Sequence, residues 1–316
     1  MNRVLIFGIS GQDGTILSKL LLEKKMNILG VTRNLNQQFK NHIFLNTIHN
    51  IKIITLKNFN YINIFNLINS YRPNYIYNFS GESSVSLSYI NYFETYSSII
   101  EITENILRSI HQVDKRIKYF NTSSSECYGN FGQIINENSP HFPMSPYAIA
   151  KSTAFEISKY YRNEKNIFSC SGIMFNHESP LRKKNFVIKK IFDGIKKIKK
   201  NPKFKIKLGN INIKRDWGWA PDFMYAAYLI LNNKYPEDYV ICSKNYHSLK
   251  YVIENAFKYN NLNFQEHIIF EKKLLRNDDI LSSKGDNSKI KKELNWKPKN
   301  NLKKIIYKMS NNICDR

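Results

Sequence analysis

Cysteine is scarce and scattered. The chain has four in 316 residues, Cys127, Cys170, Cys242 and Cys314, with no C-x-x-C pair among them. That spacing argues against a disulfide framework and a zinc site, and it suits a reducing compartment. Long apolar runs are also missing. No stretch reaches the roughly 18 to 20 residues of a membrane span, and the amino terminus passes into a strand pattern at Arg3 with no leader-like segment. A soluble, cytoplasmic, metal-free protein is expected. Acidic residues are few, 25 against 48 Lys and Arg, for a formal net charge of +23. Such an excess fits nucleic acid, an anionic surface or an anionic small substrate. Here, however, Lys, Asn and Ile are abundant everywhere, including in plainly structural segments. The densest basic run, Arg182 to Lys207, repeats Lys pairs at helical spacing with Ile and Phe between them. It reads as an amphipathic helix with a solvated outer face, and no aromatic-rich RNA motif accompanies it.

What is present is a regular alternation. With 42% hydrophobic residues, the chain can bury one large core and a smaller second lobe. Apolar runs predict strands at 4–7, 27–31, 51–56, 75–78, 118–121 and 168–174. Helix-length segments fill the gaps at about 14–25, 62–71, 92–111, 146–164 and 185–199. This order predicts an α/β fold: a Rossmann-type doubly wound parallel sheet with a smaller C-terminal substrate-binding lobe over the carboxyl ends of the strands. Residues 1–175 form the expected dinucleotide-binding domain. Residues 176–316 form mainly the lobe, with some segments returning to the first domain.

Strand one runs into Gly8-Ile-Ser10-Gly11-Gln12-Asp13-Gly14 and then the apolar helix of Ile16, Leu17, Leu20 and Leu21. Glycine permits the tight turn, close approach of backbone to a pyrophosphate, and packing of helix on strand, while the helix N-terminus attracts the anion. In this strand-turn-helix setting G-x-x-G-x-x-G points to a dinucleotide. After strand two stands Thr32-Arg33-Asn34, with Arg33 19 residues beyond Gly14 and no acid beside it. Arginine there accommodates a ribose 2′-phosphate, so NADP is expected over NAD.

Tyr147 and Lys151 open a predicted helix, one turn apart on one face. A nearby ammonium and a nicotinamide charge lower a phenol's pKa, so that the phenolate takes a hydroxyl proton while hydride leaves the same carbon. Ser123-Ser124-Ser125-Glu126 closes a predicted strand, with Ser124 23 residues before Tyr147. Its hydroxyl is placed to share the substrate oxygen that Tyr147 deprotonates.

The chain at this point resembles the extended short-chain dehydrogenase/reductases, and among them the GDP-mannose 4,6-dehydratase family. The resemblance spans nearly the whole length: G-I-S-G-Q-D-G at 8–14, S-S-S-E-C-Y-G at 123–129, S-P-Y-A-I-A-K at 145–151, F-N-H-E-S-P at 175–180, R-D-W-G at 215–218, P-E-D-Y-V at 236–240 and L-N-W-K-P at 294–298. It implies a lyase acting on a GDP-linked manno-sugar. Hydride leaves C4 for NADP with the help of Tyr147, Glu126 removes the C5 proton, the C6 hydroxyl leaves as water, and hydride returns to C6. Glu126 then needs a pKa near neutrality, which partial burial favours. The resemblance implies catalytic roles for Ser124, Glu126, Tyr147 and Lys151. It assigns the cofactor to Gly8, Ser10, Gly11, Gln12, Asp13, Gly14, Arg33, Asn58, Phe59, Ser80, Tyr147 and Lys151, with His177 and Arg182 on the nicotinamide side. To the substrate it assigns Ser83, Ser125, Glu126 and Asp279, with Asn176 and Lys190 near the diphosphate and Arg215 and Arg276 clamping phosphate or ribose. It also implies a homodimer or homotetramer, the dimer paired through helices near 92–111 and 146–164.

Several positions depart from the family's pattern. Ser124 stands for threonine, Asn58-Phe59 for Asp-Leu, Ser80-Gly81-Glu82 for Ala-Ala-Gln, and Asn34 for a second arginine. The changes around 80–88 border the sugar pocket and leave a GDP-manno-heptose open beside GDP-mannose. Two other readings also stay open: a GDP-4-keto-6-deoxymannose reductase or nucleotide-sugar epimerase on the same fold, and a non-catalytic RNA-binding relative.

Overall fold

The computed structural model describes residues 2–33, 39–275 and 279–316. Seven strands make one parallel sheet: β1 Arg3–Phe7, β2 Asn27–Thr32, β3 Lys52–Thr55, β4 Tyr75–Asn78, β5 Lys118–Ser124, β6 Ser169–Met174 and β7 Tyr239–Ile241. Their order is β3-β2-β1-β4-β5-β6-β7, with every neighbouring pair parallel. The strands show little polar alternation because both faces are covered. Val4, Leu5, Ile6 and Phe7 are all fully buried. On one face the helices Tyr61–Tyr71 and Ile102–Val113 pack together, and on the other Gln12–Glu23 packs on Ala220–Leu231.

Six of these strands match the runs predicted from sequence. The seventh lies in the half assigned mainly to the lobe, and three residues are too few to carry a period. Tyr239, Val240 and Ile241 are nonetheless fully buried against β6. The helix expected over 92–111 is observed as Tyr92–Tyr96, a π-helical turn Ser97–Glu101, and Ile102–Val113. The helix Pro146–Lys165 has clear local causes. The Ser145 hydroxyl accepts from Ala148 N–H, Pro146 occupies the first turn, and Asn166 ends it in the left-handed region at φ 55°.

The lobe has its own core. Ile188, Ile191, Phe192, Ile195 and Ile198 form one face of the helix Val187–Lys200 and pack with Trp217, Trp219 and residues of the helices Leu249–Tyr259 and Leu302–Ser310. The lysines of that helix lie on its other face. A three-stranded sheet, ordered Tyr246–Ser248, Lys214–Trp219, Asn176–Glu178, links the lobe to the end of β6. Among the described residues, no helix is long and apolar enough to cross a membrane.

Candidate active site

The turn after β1 is shaped by its glycines. Gly8 has φ +79°, and a Cβ there would stand 2.6 Å from the carbonyl carbon and oxygen of Phe79, just past β4. A Cβ on Gly14 would stand 2.5 Å from Gly8 O. The turn is thus pressed between the ends of β1 and β4, where strand order reverses and where open α/β sheets take ligands. Gly11 precedes the helix Gln12–Glu23 and donates its N–H to Gly8 O at 3.1 Å. The first N–H groups of that helix have no intrahelical acceptor. These features fit the diphosphate of a dinucleotide.

Gln12 and Asp13 also face a second partner. The Ser179 hydroxyl donates to Gln12 Oε1 at 2.7 Å, and Gln12 Nε2 donates to His177 O at 3.3 Å and to Asp13 Oδ1 at 3.0 Å. His177 Nε2 lies 3.1 and 3.2 Å from the two Asp13 oxygens, and its Nδ1 lies 2.7 Å from Phe175 O. Burial pushes the Asp13 carboxyl up, but the charge and hydrogen bond of His177, joined by Gln12 and Arg182, hold it at about 2. The G-Q-D-G and N-H-E-S motifs, 164 to 167 residues apart, therefore form one contact between the cofactor turn and the lobe. Beneath the turn, buried His42 sets Nε2 2.9 Å from Ile9 O and Nδ1 2.8 Å from Thr47 Oγ1. Asn41 Nδ2 reaches Ser10 O and Leu181 O, both at 3.4 Å.

The reactive groups converge at the end of β5. Ser124 is its last residue, and a short 3-10 turn, Ser125–Tyr128, carries Glu126 away from it. Ser124 Oγ accepts from Glu126 N–H at 3.2 Å, and its hydroxyl neighbours the Tyr147 phenol and favours its ionised form. Tyr147 N–H donates to Ser88 Oγ at 3.1 Å. Lys151, buried, donates from Nζ to Thr122 O at 2.7 Å, with Nζ 5.9 Å from the centre of the Tyr147 ring. Burial raises the Tyr147 phenol above its ordinary value against the pull of Ser124, and burial lowers the Lys151 ammonium to about 8. The lowering of the phenol expected from the sequence is thus reversed by burial, and the cation that pulls against it is Arg182. Glu126 is half-buried.

Ser124, Glu126, Tyr147 and Lys151 line one cavity of about 590 Å³. Its wall on the sheet side includes Asp13, Ser80, Ser83 and Ser125, and on the lobe side Asn176, His177, Arg182, Lys190, Arg215 and Asp279. Arg182 stacks 3.9 Å over Phe186 and sets Nε 3.7 Å from Glu178 Oε2. Neither Arg182 Nε nor Glu178 Oε2, both buried, has a hydrogen-bond partner. Lys190 Nζ donates to Lys207 O at 2.6 Å, and Arg215 Nη2 lies 3.6 Å from Asp279 Oδ1. Arg276 lies outside the described residues. Arg33, Asn58 and Phe59 stand beyond β2 and β3, outside the cavity. Phe59 packs on Phe7 at 6.1 Å, its carbonyl accepts from Asn105 Nδ2 at 3.0 Å, and the Asn58 carbonyl accepts from Asn63 Nδ2 at 3.0 Å. Sequence reasoning assigned no role to Ser88, Thr122, Ser179 and His42, which act on backbone atoms or on other side chains. Thr122 adjoins the serine run and Ser179 stands in the F-N-H-E-S-P motif, whereas Ser88 and His42 carry no signal.

A second cavity, about 450 Å³, lies at the outer edge of the sheet. Its charged walls are partly paired with one another: Arg162 meets Asp238 at 2.6 Å, and Lys289 meets Glu237 at 2.9 Å. Among the described residues no cluster of His, Cys, Asp and Glu is arranged to hold a metal ion.

A profile of the GDP-mannose 4,6 dehydratase family matches residues 5–309. GDP-mannose 4,6 dehydratase 1 of Arabidopsis thaliana is 34% identical, with 96% of this chain and 88% of that protein covered. The GDP-mannose 4,6 dehydratase of Homo sapiens is 32% identical, with coverage of 98% and 90%. Among solved structures, a dTDP-glucose 4,6-dehydratase from Bacillus anthracis in complex with NAD has a TM-score of 0.85 at 19% identity, covering 98% of this chain and 96% of that one. UDP-glucose 4-epimerase from Thermotoga maritima with UDP-glucose has a TM-score of 0.86 at 16% identity, covering 98% of each. These two likenesses speak to the fold, a Rossmann-type dehydratase and epimerase architecture. With the family profile spanning almost every residue and relatives above 30% identity over nearly their full length, the chain belongs to the GDP-mannose 4,6-dehydratase family.

Proposed function

We propose that this protein is a hydro-lyase that converts GDP-mannose to its GDP-4-keto-6-deoxy product. The observation that carries the reading is Glu126 in the same cavity as the Ser124–Tyr147 pair. An acid-base carboxylate beside an oxidising site is what elimination of water requires. When bound, a nicotinamide dinucleotide supplies a hydride acceptor and donor, and a positive ring charge that favours the Tyr147 phenolate. Tyr147 takes the proton of the C4 hydroxyl while Ser124 Oγ holds the same oxygen. The C4 ketone acidifies the C5 proton, Glu126 removes it, and Glu126 then gives a proton to the departing C6 hydroxyl. Lys151, fixed on Thr122 O, keeps an ammonium beside the tyrosine.

Residues 1–175 carry the dinucleotide, with the 2′-phosphate of NADP at Arg33, and residues 176–316 mainly carry the GDP-sugar. Arg182, Lys190 and Arg215 supply positive charge around the cavity for its diphosphate. The protein works in the cytoplasm, in keeping with its free thiols, three of them buried. It works as a homodimer or homotetramer. Ile90, Phe93 and Ile149 are exposed on neighbouring elements, as an interface between copies requires. The test is incubation with GDP-mannose, and separately with GDP-manno-heptose, with no added NADPH, followed by mass spectrometry. Loss of one water supports the reading and ranks the two sugars. No loss from either, with NADPH consumed on a 4-keto sugar, moves the assignment to a reductase.

A further inference from the structure

Arg33, the residue placed to meet the 2′-phosphate, already faces an anion. Its Nη1 lies 3.2 Å from Glu94 Oε1, with side-chain exposures of 58% and 66%. Glu94 comes from the helix Tyr92–Tyr96, 61 residues farther along the chain, so an inspection of the strand-two end alone finds the arginine and overlooks the acid. In Rossmann folds an acid at this place accepts from the ribose 2′-hydroxyl of NAD, whereas arginine accommodates the 2′-phosphate of NADP. Here both groups occupy the place together, supplied by different elements.

We propose that Glu94 is a cofactor-specificity residue: it competes with the 2′-phosphate for Arg33 and so narrows the preference for NADP over NAD. The inference rests on the assignment of Arg33 to the 2′-phosphate. Accommodating the phosphate requires Arg33 to turn from Glu94 or to hold both anions at once, and the carboxylate and phosphate repel each other. NAD demands neither, because a neutral 2′-hydroxyl can donate to Glu94 while the ion pair stays formed. The pair is exposed, so its competition is modest and depends on salt. The phosphate, with nearly two charges, still binds, at reduced advantage.

The test measures dissociation constants of NADP and NAD for the full chain and for Glu94→Gln and Arg33→Ala, at low and high salt, by isothermal titration calorimetry. Glu94→Gln tightens NADP by about fivefold at low salt, leaves NAD within about twofold, and loses most of its gain at high salt. Arg33→Ala weakens NADP about tenfold or more and leaves NAD nearly unchanged. If Arg33→Ala behaves so while Glu94→Gln leaves NADP unchanged, the Glu94 proposal is overturned and the arginine assignment stands. If Arg33→Ala leaves NADP unchanged, both fail. Equal shifts for the two cofactors in Glu94→Gln also overturn the proposal, since they report a change in the site at large. Both side chains are exposed, and neither substitution threatens the fold.

Discussion

Glu126 distinguishes elimination from simple oxidation at this site, and replacing its carboxylate isolates the two steps. Glu126→Gln is expected to lower the rate of water loss by a factor of about 10² to 10⁴, while formation of reduced nicotinamide on mixing with GDP-mannose persists. Loss of both together in a folded variant would mean that Glu126 serves binding and not proton removal. Asp13 offers a different test, because its charge is tied to His177. A carboxyl held at about 2 against an ordinary 3.8 stabilises the fold by about 2 kcal/mol. That stabilisation is present above about pH 4 and is lost as pH falls toward 2. Asp13→Asn should therefore unfold at lower urea at pH 7, and its deficit should close across that acidic window. Ser124, Tyr147 and Lys151 were legible in the sequence because their separations suit a strand end facing a helix start. Thr122 and Ser88 were not, because each serves a neighbour through a hydrogen bond to or from the main chain, which leaves no spacing rule. The Asp13–His177 contact was half-legible. Both residues stood in recognisable motifs, but nothing in either motif pairs it with the other.

At the scale of elements, the short helix Lys40–Phe44 acts as a buttress for the cofactor turn. Because a peptide unit is planar and trans, fixing Ile9 O with His42 Nε2 and Thr15 Oγ1 directs the Ser10 N–H to the opposite side of the turn. His42→Leu removes one of those anchors from a buried carbonyl and is expected to cost about 1 to 3 kcal/mol in thermal or urea unfolding. Cofactor KM rises several-fold and kcat changes less. His42→Gln, which keeps a donor at the Nε2 position, recovers most of the cofactor affinity. Equal loss in both variants would show that the ring's volume matters and its hydrogen bond does not. Six strands could be read from their apolar runs because burial on both faces writes a continuous signal. The three-residue β7 writes none. The π-helical turn at Ser97–Glu101 was invisible for another reason: it is a slip in hydrogen-bond register that leaves residue types unchanged. It lies where the helix presses on Gly81, whose φ is +107° and whose added Cβ would meet Ile99 Cγ1 at 2.6 Å and Ser98 O at 2.9 Å.

Over the whole molecule, the excess of 23 positive charges is carried mostly by lysines outside the cavity, whose lining cations are Lys151, Arg182, Lys190, Arg215 and Lys273. The apolar surface is less evenly spread. Phe93 is 74% and Ile90 72% exposed beside the half-covered helix Pro146–Lys165. On the proposed pairing of two copies through these helices, Phe93→Glu combined with Ile149→Glu should give monomers in light scattering where the unaltered chain gives an oligomer, with little change in unfolding; an unchanged mass would contradict that pairing. The measurement that bears most directly on the central claim follows the hydride itself. GDP-mannose carrying deuterium at C4 is turned over in ordinary water with no added reductant, and the product is examined for mass and for the position of the label. The account predicts a product lighter by one water with the deuterium at C6. A product that keeps its oxygen, or one that has lost water but carries no deuterium at C6, would contradict it.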